Sequence, residues 1–280
     1  MVPGFYKNSK PVTFLAVYIP LNVNYPPLFA RKVINNVEKA RKNTLEQYKP
    51  RPKCVRYLLG YLALLLGTLL FRVRIKGREN IPGQGPFIVA ANHFNRLDPA
   101  LIVYALRRPV NFLMASDQTV EHYLMWAPWL YGFIPTNRTR LAPSTIKQAI
   151  KVLRKKEILG IFPEGVSTDN VLRPAKNGVV YLSTVTRAPI MPVSIIGLEN
   201  VLAKWTRGVR PVVTICFGKP FGPYALPKDR QRKEAALRQI GITVMCRIAA
   251  LMPEKYHGVF SGHPKIKDYR SENRLRNVSS

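Results

Sequence analysis

The chain has 280 residues, with 44 Lys and Arg against 15 Asp and Glu, for a formal net charge of +29. A 47% hydrophobic content is enough to bury a full core, which excludes a disordered polycation. Collagen-like and disulfide-rich classes are excluded as well, since Gly shows no period and there are only three Cys. One large domain, or one domain with a flanking segment, is the expectation at this length. Cys54, Cys216 and Cys246 are odd in number and far apart, and read as reduced core thiols of a cytoplasmic protein. So large a positive charge calls for a polyanionic partner: nucleic acid, an anionic membrane surface or an acidic protein. The charge is +9 over residues 1–56, +9 over 57–200 and +11 over 201–280, so it concentrates in the two flanks.

Residues 1–30 read as an irregular arm, because the short apolar run Val12 to Ile19 is followed by Pro20 and Pro26-Pro27. From Arg31 to Lys49, Val33, Val37, Ala40 and Thr44 line one helical face and basic residues crowd the other. A basic amphipathic helix of this kind suits either an anionic membrane surface or a solvated face of the domain. Next comes the most apolar stretch, Tyr57 to Phe71, with no charge across 15 residues and basic residues on both sides. A spanning helix wants about 20 apolar residues, so a helix dipping into one leaflet is the better reading and a buried core helix the alternative.

Beyond Gly77 the texture alternates. Phe87–Ala91, Val110–Ala115, Ile158–Phe162, Ile190–Ile196 and Val212–Phe217 read as short buried strands. Pro99–Arg108, Glu121–Trp129, Pro143–Lys156 and Pro174–Arg187 read as helices, with Pro227–Leu251 as a longer basic closing helix. The tail from Pro253 reads as loosely ordered. The pattern predicts an α/β fold with a largely buried mixed sheet flanked by helices, preceded by N-terminal membrane-associating helices. Its expected divisions are an N-terminal segment (1–74), a core (75–222) and a basic C-terminal helix with its tail (223–280).

The first of these strands runs into Asn92-His93-Phe94-Asn95-Arg96-Leu97-Asp98-Pro99. Ligands of α/β folds gather at the carboxyl ends of strands, so His93 stands where chemistry is expected. His93 and Asp98 can meet if His93 lies in the loop and Asp98 opens the following helix, which Asp-Pro-Ala suits. Asp98 would then fix the imidazole tautomer and leave the other ring nitrogen to take a proton; a plain helix cap is its bland alternative. No Gly-x-Ser-x-Gly elbow occurs, so a His–Asp pair without its own nucleophile implies that the substrate brings one, such as an alcohol. His257 and His263 are six apart, which suits no common metal motif.

Four blocks in this order resemble the glycerophospholipid acyltransferase family, typified by lysophosphatidate acyltransferase. Asn92, His93 and Asp98 match its Asn-His-x4-Asp block. Gly132-Phe133-Ile134-Pro135-Thr136-Asn137-Arg138 resembles its Gly-aromatic-Ile block ending in Arg. Phe162-Pro163-Glu164-Gly165-Val166-Ser167-Thr168 resembles Phe-Pro-Glu-Gly-x-Arg-Ser, with Ser167 where the family carries Arg. Pro189-Ile190-Met191-Pro192-Val193 matches the apolar fourth block. The resemblance covers about Ile75 to Gly222.

It implies that His93 is the general base deprotonating an acceptor hydroxyl and that Asp98 orients it. Arg138 would hold the acceptor phosphate, with Lys176 as a second phosphate ligand, while Asn92, Glu164 and Gly165 would belong to the acceptor site. No resident cofactor or metal is implied; acyl-CoA or acyl-ACP serves as co-substrate. The implied partners are anionic membrane lipids, a lysophospholipid acceptor such as lysophosphatidate and the acyl donor, at the cytoplasmic face of a membrane. Ser167 leaves the acceptor open, so a phospholipid transacylase or an acyltransferase for another acceptor stays as an alternative, with Arg140, Arg173 or Lys176 as substitutes for the lost cation. A nucleic-acid-binding protein is the remote alternative, since no zinc spacing, helix-turn-helix or ribonucleoprotein motif is present.

Overall fold

The computed structural model describes residues 51–115, 130–136, 142–165 and 170–273. The chain divides into two units, Met1–Lys49 and Pro50–Ser280, and the description concerns the second. The expected amphipathic helix over Arg31 to Lys49 and the expected helix over Glu121–Trp129 lie outside the described residues.

In chain order the unit contains α1 (Lys53–Leu70), β1 (Arg72–Lys76), β2 (Phe87–Ala91), α2 (Asp98–Leu106), β3 (Val110–Ala115), β4 (Ile134–Thr136) and α3 (Pro143–Arg154). These are followed by β5 (Ile158–Ile161), α4 (Gly178–Thr186), β6 (Ile190–Ile196), α5 (Val201–Thr206), β7 (Val212–Phe217), α6 (Arg230–Ala249) and α7 (Lys265–Glu272). The strands form one seven-stranded sheet in the order β1-β7-β6-β2-β5-β3-β4. From β6 to β4 every pairing is parallel. β7 runs antiparallel to β6, and β1 pairs parallel with β7, so the last two strands are reversed. The fold is therefore α/β with a mixed sheet.

Both faces of the sheet are covered, which explains why its central strands read as unbroken apolar runs rather than alternating ones. Ile88, Ala90, Leu159 and Ile190 pack on one side with residues of α3, α4 and α6. Phe87, Val89, Ala91, Val193 and Ile195 pack on the other with Leu101, Ile102 and Ala105 of α2. β1 escaped the sequence reading because Arg72, Arg74 and Lys76 alternate with Val73 and Ile75, so it read as a basic flank. Its charged residues are exposed and its two apolar ones pack on the core, the pattern of an edge strand.

Three element boundaries differ for identifiable reasons. α2 and α4 end on Arg107 and Arg187 in the left-handed region (φ 54° and 56°), so neither carries the glycine that normally marks a stop. α4 begins at Gly178 rather than Pro174, because the preceding segment stays irregular: Lys176 N–H donates to Pro163 O at 2.9 Å and Leu172 N–H to Tyr256 O at 2.8 Å. The expected loose tail is corrected as far as Asn273: Tyr256, Phe260 and Ile266 are buried in the core. Arg247 of α6 is sandwiched between the rings of Phe221 (4.6 Å) and Tyr269 (4.1 Å) and pairs with Glu272 at 3.0 Å, which fastens α7.

α1 does not have the burial that the core-helix alternative for the apolar stretch requires. Only Arg56 and Gly67 of this helix are buried, which excludes a core helix. Leu58, Tyr61, Leu65 and Leu69 are 67–70% exposed and recur at helical spacing, so they form an outward apolar stripe. The opposite side rests on α2, where Gly67 admits the Tyr104 ring; a Cβ there would stand 2.7 Å from it.

Gly160 in the middle of β5 is glycine for a similar reason: a Cβ would lie 2.4 Å from Cδ1 of Phe112. Gly160→Ala should cost about 1–3 kcal/mol by overpacking, read as a lower urea midpoint at unchanged slope.

Candidate active site

β2 and β5 are parallel neighbours, so the loops leaving their carboxyl ends emerge side by side. The first begins at Asn92, which is fully buried. Its Nδ2 donates to Ile195 O and its Oδ1 accepts from Ile195 N–H, both at 2.8 Å. The side chain thus extends the β2–β6 pairing by one backbone-like step. Asn92, which the resemblance assigns to the acceptor site, has no exposed surface in this conformation and holds the start of the loop.

The chain then turns tightly. Asp98 N–H donates to Asn95 O at 3.1 Å, Leu97 N–H to Asn95 Oδ1 at 3.0 Å, and Asn95 N–H to Asp98 Oδ2 at 2.8 Å. This brings Asp98, the first residue of α2, back to His93: Oδ2 lies 3.0 Å from Nδ1. The Asp98 side chain is 1% exposed and that of His93 21%. A carboxylate at Nδ1 holds the ring proton there and leaves the lone pair on Nε2, for which the described residues offer no hydrogen-bond partner. The imidazole lies flat on Phe162 with centroids 4.1 Å apart, and Phe162 stacks in turn on Phe112 at 5.9 Å. The ring is therefore fixed at one nitrogen and on one face, with its other nitrogen available. Burial pushes the Asp98 carboxyl above its ordinary range, against the opposing pull of His93 and nearby backbone N–H groups.

Glu164 follows β5 and is buried at 5% exposure. Its Oε1 accepts from His93 N–H and its Oε2 from Arg173 N–H, each at 3.2 Å. One carboxylate thereby ties together the loop after β2, the loop after β5 and the segment that leads into α4. Burial pushes its pKa up to about 7, although both backbone bonds favour the charged form. Gly165 has φ +72°, and a Cβ on it would meet Lys176 Nζ at 2.7 Å. The Lys176 side chain accordingly lies across this glycine, close to Glu164.

Five of the expected residues, His93, Asp98, Glu164, Gly165 and Lys176, converge at the carboxyl edge of the sheet. Arg138, Arg140 and Ser167 lie outside the described residues. Asn95 and Phe162 were not singled out from sequence as site residues. The Asn-x-x-Asp turn carried a local signal for Asn95, whereas the stacking of Phe162 depends on the strand pairing. Cys216 and Cys246 supply no nucleophile here: burial pushes their thiols up to about 12 and about 11.

Residues 72–196 match the family model described as Acyltransferase. The match is a similarity over 125 of the 280 residues. Among curated relatives, a 1-acyl-sn-glycerol-3-phosphate acyltransferase of Bacillus subtilis is 29% identical over 126 residues, 43% of this chain and 60% of that one. One of the same name from Borreliella burgdorferi is 30% identical over 142 residues, 48% of this chain and 54% of that one. The alignments thus span a little over half the length of these two relatives. A crystal structure of the 1-acyl-sn-glycerophosphate (LPA) acyltransferase from Thermotoga maritima aligns with a TM-score of 0.48 and 23% identity over 74% of this chain and 80% of that one. The residues matched by that model begin with β1 and end with β6, so they include the whole His93, Asp98 and Glu164 constellation.

The raised Glu164 pKa has a defined sign. The folded domain keeps a proton that the unfolded chain releases between about 4.5 and about 7, so this contribution is full below about 4.5 and lost as pH rises through about 7. At 1.36 kcal/mol per pKa unit the loss is about 3 kcal/mol. Urea unfolding across this window should show that decline in the wild type relative to Glu164→Gln, whose stability lacks it.

Proposed function

We propose that this protein is an O-acyltransferase that moves a fatty acyl group from acyl-CoA or acyl carrier protein to the hydroxyl of a lysophospholipid, with lysophosphatidate as the first choice. The observation that carries this reading is the His93–Asp98 contact at 3.0 Å, with Nε2 unoccupied by any described residue, inside the stretch that matches the Acyltransferase family model. His93 Nε2 takes the proton of the acceptor hydroxyl as its oxygen attacks the thioester carbonyl carbon. The tetrahedral intermediate collapses, the C–S bond breaks, and the imidazolium returns the proton to the departing thiolate. Asp98 holds the Nδ1 proton and stabilises the transient imidazolium, a task suited to a buried carboxylate. No nucleophile from the chain is needed, because the acceptor supplies it.

The relatives' name supports a phosphate-bearing acceptor. Lys176, lying over Gly165 beside the reacting edge, is placed to meet that phosphate, and Arg138 of the second block is assigned the same task. Glu164 acts through His93, holding the loop by its backbone N–H.

The membrane reading rests on α1. It has 18 residues and a mean hydropathy of 1.5, with its apolar stripe facing outward. At 1.5 Å per residue it is about 27 Å long, short of the roughly 30 Å hydrocarbon core. A monotopic helix lying in the cytoplasmic leaflet accounts for both the length and the basic residues at its two ends.

The test is transfer of a labelled acyl group from acyl-CoA and from acyl carrier protein to lysophosphatidate, glycerol phosphate and neutral lyso-lipids. Phosphatidate should form, and His93→Ala should lower the rate by about 10²–10⁴ with thermal unfolding unchanged. Retained activity in that variant overturns the mechanism, and acylation of neutral lyso-lipids alone overturns the acceptor. Lys176→Ala should raise KM for lysophosphatidate by about tenfold with little change in kcat, as expected for loss of a charge-assisted contact.

A further inference from the structure

The edge of the sheet opposite His93, at the amino ends of β3 and β5, holds a second concentration of charge. A cavity of about 280 Å³ opens there, lined by Lys53, Arg56, Arg108 and Lys156, with Glu157 as its one carboxylate among the described residues. Arg56 is 3% exposed, so its guanidinium is a buried cation. Its partners are Asn111 Oδ1 (3.1 Å), Val110 O (2.6 Å) and the Tyr131 ring (4.8 Å), all of them neutral. Its Nε has no hydrogen-bond partner among the described residues. Arg108 is held by Gly83 O (3.0 Å) and Pro82 O (2.8 Å) above the Phe87 ring, and these are also neutral. Glu157 is already engaged, with Lys53 at 3.3 Å and Asn111 Nδ2 at 3.1 Å. Neutral acceptors satisfy hydrogen bonds without cancelling charge, and a buried charge without a counter-ion is costly. The cavity is therefore electrostatically incomplete as it stands.

A second feature says what completes it. The cavity opens at the start of α1, where it shares Arg56, Tyr57, Arg108 and Pro109 with a crevice of about 10 Å³ between α1 and the end of α2, too small to hold a chain. The outward apolar stripe of α1, which starts at Leu58, begins beside both. A cationic cup at the head of an exposed apolar stripe matches a molecule with a phosphate at one end and an acyl chain at the other.

We propose that this cavity binds the phosphate of an anionic phospholipid, headgroup among Lys53, Arg56, Arg108 and Lys156 and chain against the apolar stripe of α1. The site lies across the sheet from His93 and is separate from the acceptor site. It gives the protein a stereospecific lipid contact in addition to diffuse attraction. The proposal rests on the membrane reading of α1 and not on acyl transfer.

The probe is a vesicle of phosphatidylcholine, with or without phosphatidylglycerol carrying a photoactivatable group near its headgroup. Lys53 and Lys156 have exposed side chains, so Lys53→Glu/Lys156→Glu should fold, as checked by thermal melting. Arg232→Glu/Arg238→Glu, on exposed positions of α6, makes the same charge change elsewhere. Wild type should cross-link within residues 53–64 and 107–109. The cavity variant should lose that cross-link, and its affinity for phosphatidylglycerol vesicles should fall at least about tenfold more than the α6 variant's, given about fivefold per surface charge. Equal losses in the two variants with scattered cross-links would mean diffuse attraction only and overturn the site. Competition by millimolar inorganic phosphate without any preference for charged vesicles would assign the cavity to a free anion instead. Wild type that ignores every vesicle overturns both the site and the membrane reading. Acyl transfer in detergent micelles by the same preparation separates that failure from failure of the enzymatic reading.

Discussion

The site depends on how β2 ends. The Asn92 side chain pairs with the backbone of Ile195 as a peptide unit would, so the strand is stitched to β6 one residue beyond its last backbone pairing. With Asn92 held, His93 is the first residue free of the sheet, and its own N–H is taken by Glu164 from the neighbouring loop. The imidazole therefore leaves the strand in one direction, between Phe162 on its face and Asp98 at its Nδ1. Buried polar groups as well matched as those of Asn92 and Glu164 define a geometry more sharply than apolar packing does, because alternative arrangements strand a donor or acceptor. Precision at His93 is thus supplied by residues that need not meet a substrate.

The same economy governs the charges. At the carboxyl edge, buried Asp98 and Glu164 lie close to His93, and burial raises the pKa of both acids. At the amino edge, buried Arg56 and half-buried Arg108 are held by neutral acceptors. On the proposed reading, the sheet separates a site of proton transfer from one that takes a fixed anion. Placing them at opposite ends keeps the cations of one from depressing the basicity needed at the other.

Much of this was legible in the sequence, for reasons that are local. The five-residue spacing from His93 to Asp98, with Asp-Pro opening a helix, encodes their meeting without long-range information. Phe87–Ala91 and Ile190–Ile196 were readable because central strands buried on both faces are continuous apolar runs. Arg56 was not readable. It sits among Arg51, Lys53 and the apolar stretch and reads as a flanking charge, while its partners lie 54 and 55 residues away. Glu164 was singled out by its block, but its two donors, the backbone N–H groups of His93 and Arg173, were not readable, because only the sheet order brings them near. The segment after Pro253 looked polar and loose, yet its few large side chains, Tyr256, Phe260 and Ile266, are those that matter to the core.

The edge strand β1 carries a consequence of its own. A sheet ending in a strand with open backbone groups invites a second molecule to add its own strand there. Two copies meeting at this edge would bring Arg72, Arg74 and Lys76 of each against the same triplet of the other. A lipid surface concentrates proteins in two dimensions, where such edge-to-edge polymerisation is most dangerous. If the protein sits on a bilayer as proposed, the three cations of each copy would oppose that contact by like-charge repulsion.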